Sequence, residues 1–233
     1  MEDDIQQILN NFMIDYYGVA DISEYEADVM KYGGELVKGY PRVISMGIVF
    51  PSTIVDYLNN PSDNIAKLEY HHCYEVINDR LDNIASIITS YIMKNGYRAL
   101  PISAAERVNS DYINAAFSHK IAARLAGLGW IGKNCLLITH KHGPRVRWVS
   151  VLTDAPLQVI GEKLEQRCGN CMACVKICPK GALLGRNYSE GEAREKRFDV
   201  KKCDRYFNEM EENGQVPVCG MCLYVCPYGR KSH

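Results

Sequence analysis

Four cysteines fall within eleven residues and a proline follows them: Cys168, Cys171, Cys174 and Cys178, then Pro179, spaced C-x2-C-x2-C-x3-C-P. That spacing is the one bacterial ferredoxins use to wrap a cubane iron–sulfur cluster, and in two-cluster ferredoxins the fourth cysteine of the run ligates the other cube. A second, incomplete copy follows as Cys203, then Cys219, Cys222, Cys226 and Pro227. Eight thiolates match two [4Fe–4S] clusters, so the chemistry expected is transfer of single electrons. The competing chemistry is structural zinc, whose C-x2-C knuckles are usually separated widely enough for four sulfurs to meet at one ion. Three cysteines in seven residues, with a proline after the last cysteine of both runs, favour an object wider than an ion.

Composition narrows the setting. The 233 residues suffice for one sizeable core and a smaller cofactor-held domain. The first ten residues, MEDDIQQILN, are acidic and do not read as an export signal. The apolar stretches Val43–Phe50 and Leu81–Met93 are too short or too polar to cross a bilayer. A reducing cytoplasm, where thiolates stay available for iron, is therefore the expected location, with no membrane partner. A net charge of −1 is too balanced to argue for nucleic acid. Lys and Arg outnumber Asp and Glu by 13 to 10 after Gly161, against 14 to 18 before it. That small excess suits neutralisation of anionic clusters better than phosphate binding.

The elements that must position these cysteines alternate. Residues 5–17 carry Ile5, Ile8, Leu9, Phe12 and Met13 at helical spacing, with a short strand expected at Val19–Ile22. Val43–Phe50 reads as a buried strand. A long helix is expected over Tyr70–Lys94, apolar along Ile77, Leu81, Ile84, Ile88, Tyr91 and Ile92 and stopped by Asn95-Gly96. Tyr97–Ile102 is extended. Ser110 or Asp111 would cap a second helix ending at Gly127. Cys135–Thr139 and Val146–Thr153 read as strands joined by the turn His140–Pro144. The pattern predicts an α+β chain: an N-terminal α/β sheet domain over residues 1–160 and a ferredoxin-like double-cluster domain over 161–233. The second is too poor in periodic apolar residues to fold without its clusters.

Between the second helix and the following strand lies Ala126-Gly-Leu-Gly-Trp-Ile-Gly-Lys-Asn134. It lacks the G-x-G-x-x-G spacing of a dinucleotide site. Together with Val151-Leu-Thr-Asp-Ala-Pro-Leu157, the cysteine array, Arg42-Val-Ile-Ser45 and Tyr70-His71, it resembles the epoxyqueuosine reductase family over roughly residues 40–230. The resemblance implies a cobalamin-dependent reductase related in architecture to reductive dehalogenases, with two [4Fe–4S] clusters and a base-off corrinoid over the N-terminal sheet. It implies that Cys168, Cys171, Cys174 and Cys226 bind the first cluster, and Cys178, Cys203, Cys219 and Cys222 the second, the one nearer cobalt. Tyr70, His71, Gly129, Trp130, Ile131, Gly132, Lys133, Asn134, Arg205 and Tyr206 would lie near the corrin. No D-x-H-x-x-G segment supplies an axial histidine, in keeping with the family.

Two departures stand out. The family's aspartate, in V-D-[ST]-[AG]-P, has no counterpart here, where the segment reads Asp111-Tyr-Ile-Asn-Ala-Ala-Phe-Ser-His-Lys120. His119, Lys120 and Tyr112 are the substitute proton donors expected, His119 first because imidazole titrates near neutrality. The alternative for His119 is a helix-flank histidine satisfied by a backbone carbonyl. The chain also ends seven residues after Cys226, where the bacterial family carries a helical-repeat region that helps hold tRNA. Nucleic acid is accordingly not the expected partner. The partners expected are a low-potential donor of ferredoxin or flavodoxin type, and either a small-molecule substrate or a corrinoid or metal protein. A protein that only reduces a partner's corrinoid or metal centre is the rival function. Cys73 and Cys135 read as small buried hydrophobes, and Lys141, Arg145 and Arg147 as a solvated basic hairpin.

Overall fold

The computed structural model describes residues 1–60, 64–108 and 113–230. The elements in order are α1 (Glu2–Asn11), β1 (Tyr16–Asp21), α2 (Glu26–Gly33), β2 (Arg42–Val49), α3 (Ser52–Tyr57), α4 (Asn64–Lys94), β3 (Ala99–Ile102), α5 (His119–Leu125), β4 (Trp130–Ile131), β5 (Leu137–Ile138), β6 (Val146–Thr153), α6 (Ala173–Ile177), α7 (Val200–Glu212) and α8 (Met221–Tyr224). Helix and sheet are mixed, as the sequence pattern predicts. No described helix is long and apolar enough to cross a membrane.

Contacts group the chain into two compact units, neither continuous in sequence. The first comprises Met1–Ile48, Ile77–Leu128 and Arg147–Leu164; the second comprises Val49–Val76, Gly129–Val146 and Glu165–His233. The cysteine-rich stretch thus shares its unit with two segments from the region before residue 161.

The first unit is built on a four-stranded sheet of order β1-β2-β6-β3. β1 runs antiparallel to β2 with Val19 opposite Ile44, and β3 antiparallel to β6 with Pro101 opposite Val151. The inner strands are closed to solvent on both faces: Val43, Ile44, Ser45 and Met46 in β2, and Val149 to Thr153 in β6, are fully buried. That is why both read as near-continuous β-formers rather than as an alternating pattern. Pro101 is tolerated because β3 lies at the edge, where a missing N–H breaks no ladder. In α4 the expected stripe Ile77, Leu81, Ile84, Ile88 and Ile92 is buried at helical spacing, and Asn95 and Gly96 close the helix onto Tyr91 O and Met93 O. In α1 only Ile5 and Leu9 are buried; Phe12 and Met13 fall beyond the helix end and are exposed.

Two expectations are corrected. The second helix begins at His119, preceded by Ser118, and not near Ser110 or Asp111, which lie outside the described residues. Its far end is as expected: Gly127 adopts φ +73°, and a Cβ there would lie 2.7 Å from Glu162 O. Cys135–Thr139 and Val146–Thr153 do not form a hairpin. β5 is cut to two residues and pairs with β4, Trp130 opposite Ile138, while β6 enters the large sheet. Cys135 is turned to φ +57°, its N–H donated to Gly132 O, so the strand starts only at Leu137.

The second unit has little apolar core of its own from Glu165 onward. Ala182, Leu183, Met210, Val218 and Cys226 are the buried apolar residues described there. Asp199 caps α7 by accepting from Lys202 N at 3.0 Å.

Candidate metal centre

The first cysteine run folds as a tight loop, Cys171 N donating to Cys168 O at 2.9 Å, and continues into α6. Cys168, Cys171, Cys174 and Cys226 line one small solvent-open pocket, walled also by Ile138, Pro227, Tyr228 and Lys133. All ten cysteines are free thiols. Among the described residues no three His, Cys, Asp or Glu side chains converge as ligands of a single ion would. The four sulfurs surround a space instead of meeting at a point.

Crowding shows in the acidities. Burial pushes the Cys174 thiol up to about 11, with Cys168 and Cys171 adding to the shift. Burial likewise takes Cys226 to about 11; the Tyr228 amide opposes it, and Cys168 and Cys174 reinforce it. Cys222 is raised well above the usual thiol range by burial, then by Cys219, Cys203, Cys174 and Cys178. Cys219 is raised by burial, with Cys178 adding. Cys226 of the second run is thus influenced by Cys168 and Cys174 of the first, and Cys222 by Cys219, Cys203, Cys174 and Cys178. Thiols buried in this way ionise only beside compensating positive charge, which a bound metal would supply.

The glycine-bearing segment braces this array. Residues 129–134 are all buried. Gly129 is required by a close approach, since a Cβ there would sit 2.3 Å from Ile138 O. Lys133 Nζ donates to Gly169 O at 2.8 Å and Cys171 O at 3.1 Å. Asn134 Nδ2 donates to Cys222 O at 3.3 Å, while its Oδ1 accepts from Leu136 N. One dipeptide thus holds both cysteine runs. Trp130 packs with Ile138, Cys226, Cys168 and Tyr228, the Tyr228 ring meeting it edge-on at 4.8 Å. Its buried indole N–H has no acceptor among the described residues, which fits a cluster or thiolate sulfur in the adjoining space. Read from sequence, these residues faced a corrin; here their side chains serve the cysteine loops.

Arg145 was expected on a solvated face and is 1% exposed. Its guanidinium donates to Asp56 Oδ1 at 2.6 Å, Ser52 O at 3.3 Å and Tyr224 O at 3.4 Å, tying α3 to α8. Only its context shows this role. A basic residue immediately before a strand carries no mark of burial in the sequence.

The other candidates are dispersed. Tyr70 stacks on Phe50 at 4.8 Å. His71 pairs with Glu75 at 3.5 Å on an exposed helix face. Arg205 is exposed, and Tyr206 lies under Lys180 at 5.0 Å. Cys73 is partly buried, and Cys135 is buried with Arg197 Nη1 at 3.7 Å. Tyr112 lies outside the described residues, and Lys120 is partly buried at the start of α5.

His119 belongs to the first unit, where both ring nitrogens are engaged. Nε2 donates to Ser103 O and Nδ1 accepts from Ser150 Oγ, each at 2.9 Å. Burial holds it down at about 4 from the usual 6.5; the Ser103 carbonyl opposes this, and Arg147 and Lys120 assist it. The folded protein thus keeps His119 neutral at pH values where the unfolded chain binds a proton. Its contribution to stability is full above about 6.5 and is lost as pH falls toward 4. His119→Asn should therefore flatten the decline in urea midpoint between about pH 7.5 and pH 5. A decline parallel to the parent's would contradict this.

Comparison with known proteins agrees with the site. Residues 167–229 match the model of a 4Fe-4S double cluster binding domain. The epoxyqueuosine reductase of Pseudomonas aeruginosa is 28% identical over 235 residues, which cover 92% of this chain and 58% of that protein. Over most of its length the chain is similar to epoxyqueuosine reductases. It spans less than two thirds of that relative's length. An epoxyqueuosine reductase solved with an epoxyqueuosine-modified tRNA stem loop shares the fold over 98% of this chain and 65% of its own, with TM-score 0.61 and 16% identity. A catabolic reductive dehalogenase shares it over 97% of this chain and 32% of its own, with TM-score 0.73 and 20% identity. The expectation that set nucleic acid aside does not extend to the first of these structures, which holds RNA.

Proposed function

We propose that the chain is an iron–sulfur reductase holding two [4Fe–4S] clusters that serve a cobalamin acceptor. The observation that carries this reading is the ring of Cys168, Cys171, Cys174 and Cys226 around one cavity. Clusters bound there would supply one-electron chemistry at low potential. The chain's own part is specific. Cys171 is exposed, so the first set is open to an external donor of ferredoxin or flavodoxin type. Trp130 and Ile138 close the inner wall to water. Cys174 and Cys222 bring the two sets within mutual electrostatic reach. A reducing cytoplasm suits ten free thiols.

Base-off cobalamin over residues 1–160 is supported by the fold shared with a reductive dehalogenase. Residues 129–134 are buried and do not fit a corrin platform in this arrangement, so no step is derived through cobalt. Tyr70, His71, Arg205 and Tyr206 remain as corrin-contacting candidates with solvent-accessible surface. Among the donor candidates, the hydrogen bonds of His119 favour a positioning role, which leaves Lys120 and Tyr112 to be tested first. The rival function, reduction of a partner's corrinoid or metal centre, is favoured by the missing aspartate.

Anaerobic loading with cobalamin separates the two. About one cobalamin retained per chain, reduced when dithionite is added and reoxidised by substrate, supports the reductase. Substrates tried should include the modified stem loop that the relative binds. Full clusters with no retained cobalamin, and reduction of a corrinoid protein added in trans, would replace it with the rival.

A further inference from the structure

We propose that Lys133 sets the reduction potential of the cluster held by Cys168, Cys171, Cys174 and Cys226. This rests on the cluster reading above. Lys133 is 6% exposed, yet it lines the same pocket as those four cysteines. Its Nζ is held by Gly169 O at 2.8 Å and Cys171 O at 3.1 Å, with Met172 Sδ at 3.6 Å. None of these acceptors carries a formal charge. The positive charge is therefore fixed beside the site without a carboxylate hydrogen-bonded to it.

Reducing a [4Fe–4S] cluster adds one electron and hence one negative charge. A buried cation, screened less than an exposed one, stabilises the reduced form more than the oxidised one, which raises the potential. The contacts are one-sided: among the described residues Lys133 bonds the loop of the first run, whereas the second run is reached by Asn134 through Cys222 O. The effect should therefore fall on one cluster. An amide in place of the ammonium keeps a donor for the loop carbonyls and removes the charge, so charge and support can be told apart.

The test is anaerobic EPR potentiometry on the full chain with iron and sulfide assayed in parallel. Lys133→Gln should lower the ratio of reduced to oxidised first cluster about tenfold at fixed poise, equivalent to about 59 mV for one electron. The second cluster should change less than about threefold, and Lys133→Arg should restore the parent value. If the glutamine variant loses iron, Lys133→Met is read the same way. An unmoved first potential at full iron content, or equal movement of both clusters, overturns the proposal. So does loss of iron in both neutral variants with retention in the arginine variant, which would make Lys133 a structural staple only. A parent protein without clusters would instead sink the cluster reading itself.

Discussion

Cys178→Ala should abolish the EPR signal of the second cluster and leave that of the first, with iron falling by about half. By sequence Cys178 closes the first run. The family resemblance gives it to the second set, and it lies near enough to Cys219 and Cys222 to raise both. Its sulfur also accepts the Ala182 amide at 3.3 Å, a contact that orients it as the chain leaves α6. Cys226→Ala is the mirror experiment: the last cysteine of the second run lines the cavity of the first, so the first cluster should go. Loss of the first signal in the Cys178 variant would overturn the ligand assignment.

Arg145→Ala should destabilise the second unit by about 3 kcal/mol or more, read from the urea midpoint and accompanied by faster loss of iron. Substitution leaves the carbonyls of Ser52 and Tyr224 without their donor and opens a void where a fully buried side chain stood. Asp56 is 46% exposed and regains water, so the cost lies mainly in the carbonyls and the void. Lysine should not rescue it, because one ammonium cannot reproduce a planar fork that reaches α3 and α8 together. A change below about 1 kcal/mol would show that the clamp is dispensable.

What could be read from the sequence was local. Cysteine spacing encodes the two runs because a loop around a cube constrains near neighbours, and the crossing of Cys178 and Cys226 follows from that topology. The stripe of α4 announced itself through burial on a repeating period, and the strands β2 and β6 through short unbroken runs of buried residues. What was illegible depended on partners distant in sequence. β5 pairs with β4 and not β6 because Cys135 takes a positive φ, which no periodicity reveals. Lys133 and Asn134 looked like ligand-facing residues of a glycine loop, yet their acceptors lie 36 to 88 residues away. Arg145 read as solvated because its carboxylate partner is 89 residues off. The donor segment offered a histidine but not the serine hydroxyl and carbonyl that occupy it.

The most direct measurement is the metal and sulfide content of protein purified without oxygen. Two cubes held by these eight thiolates require about eight irons and eight acid-labile sulfides per chain. Zinc bound to the same cysteines, with no labile sulfide, would leave the ring of thiols in place and remove every electron-transfer role assigned to it.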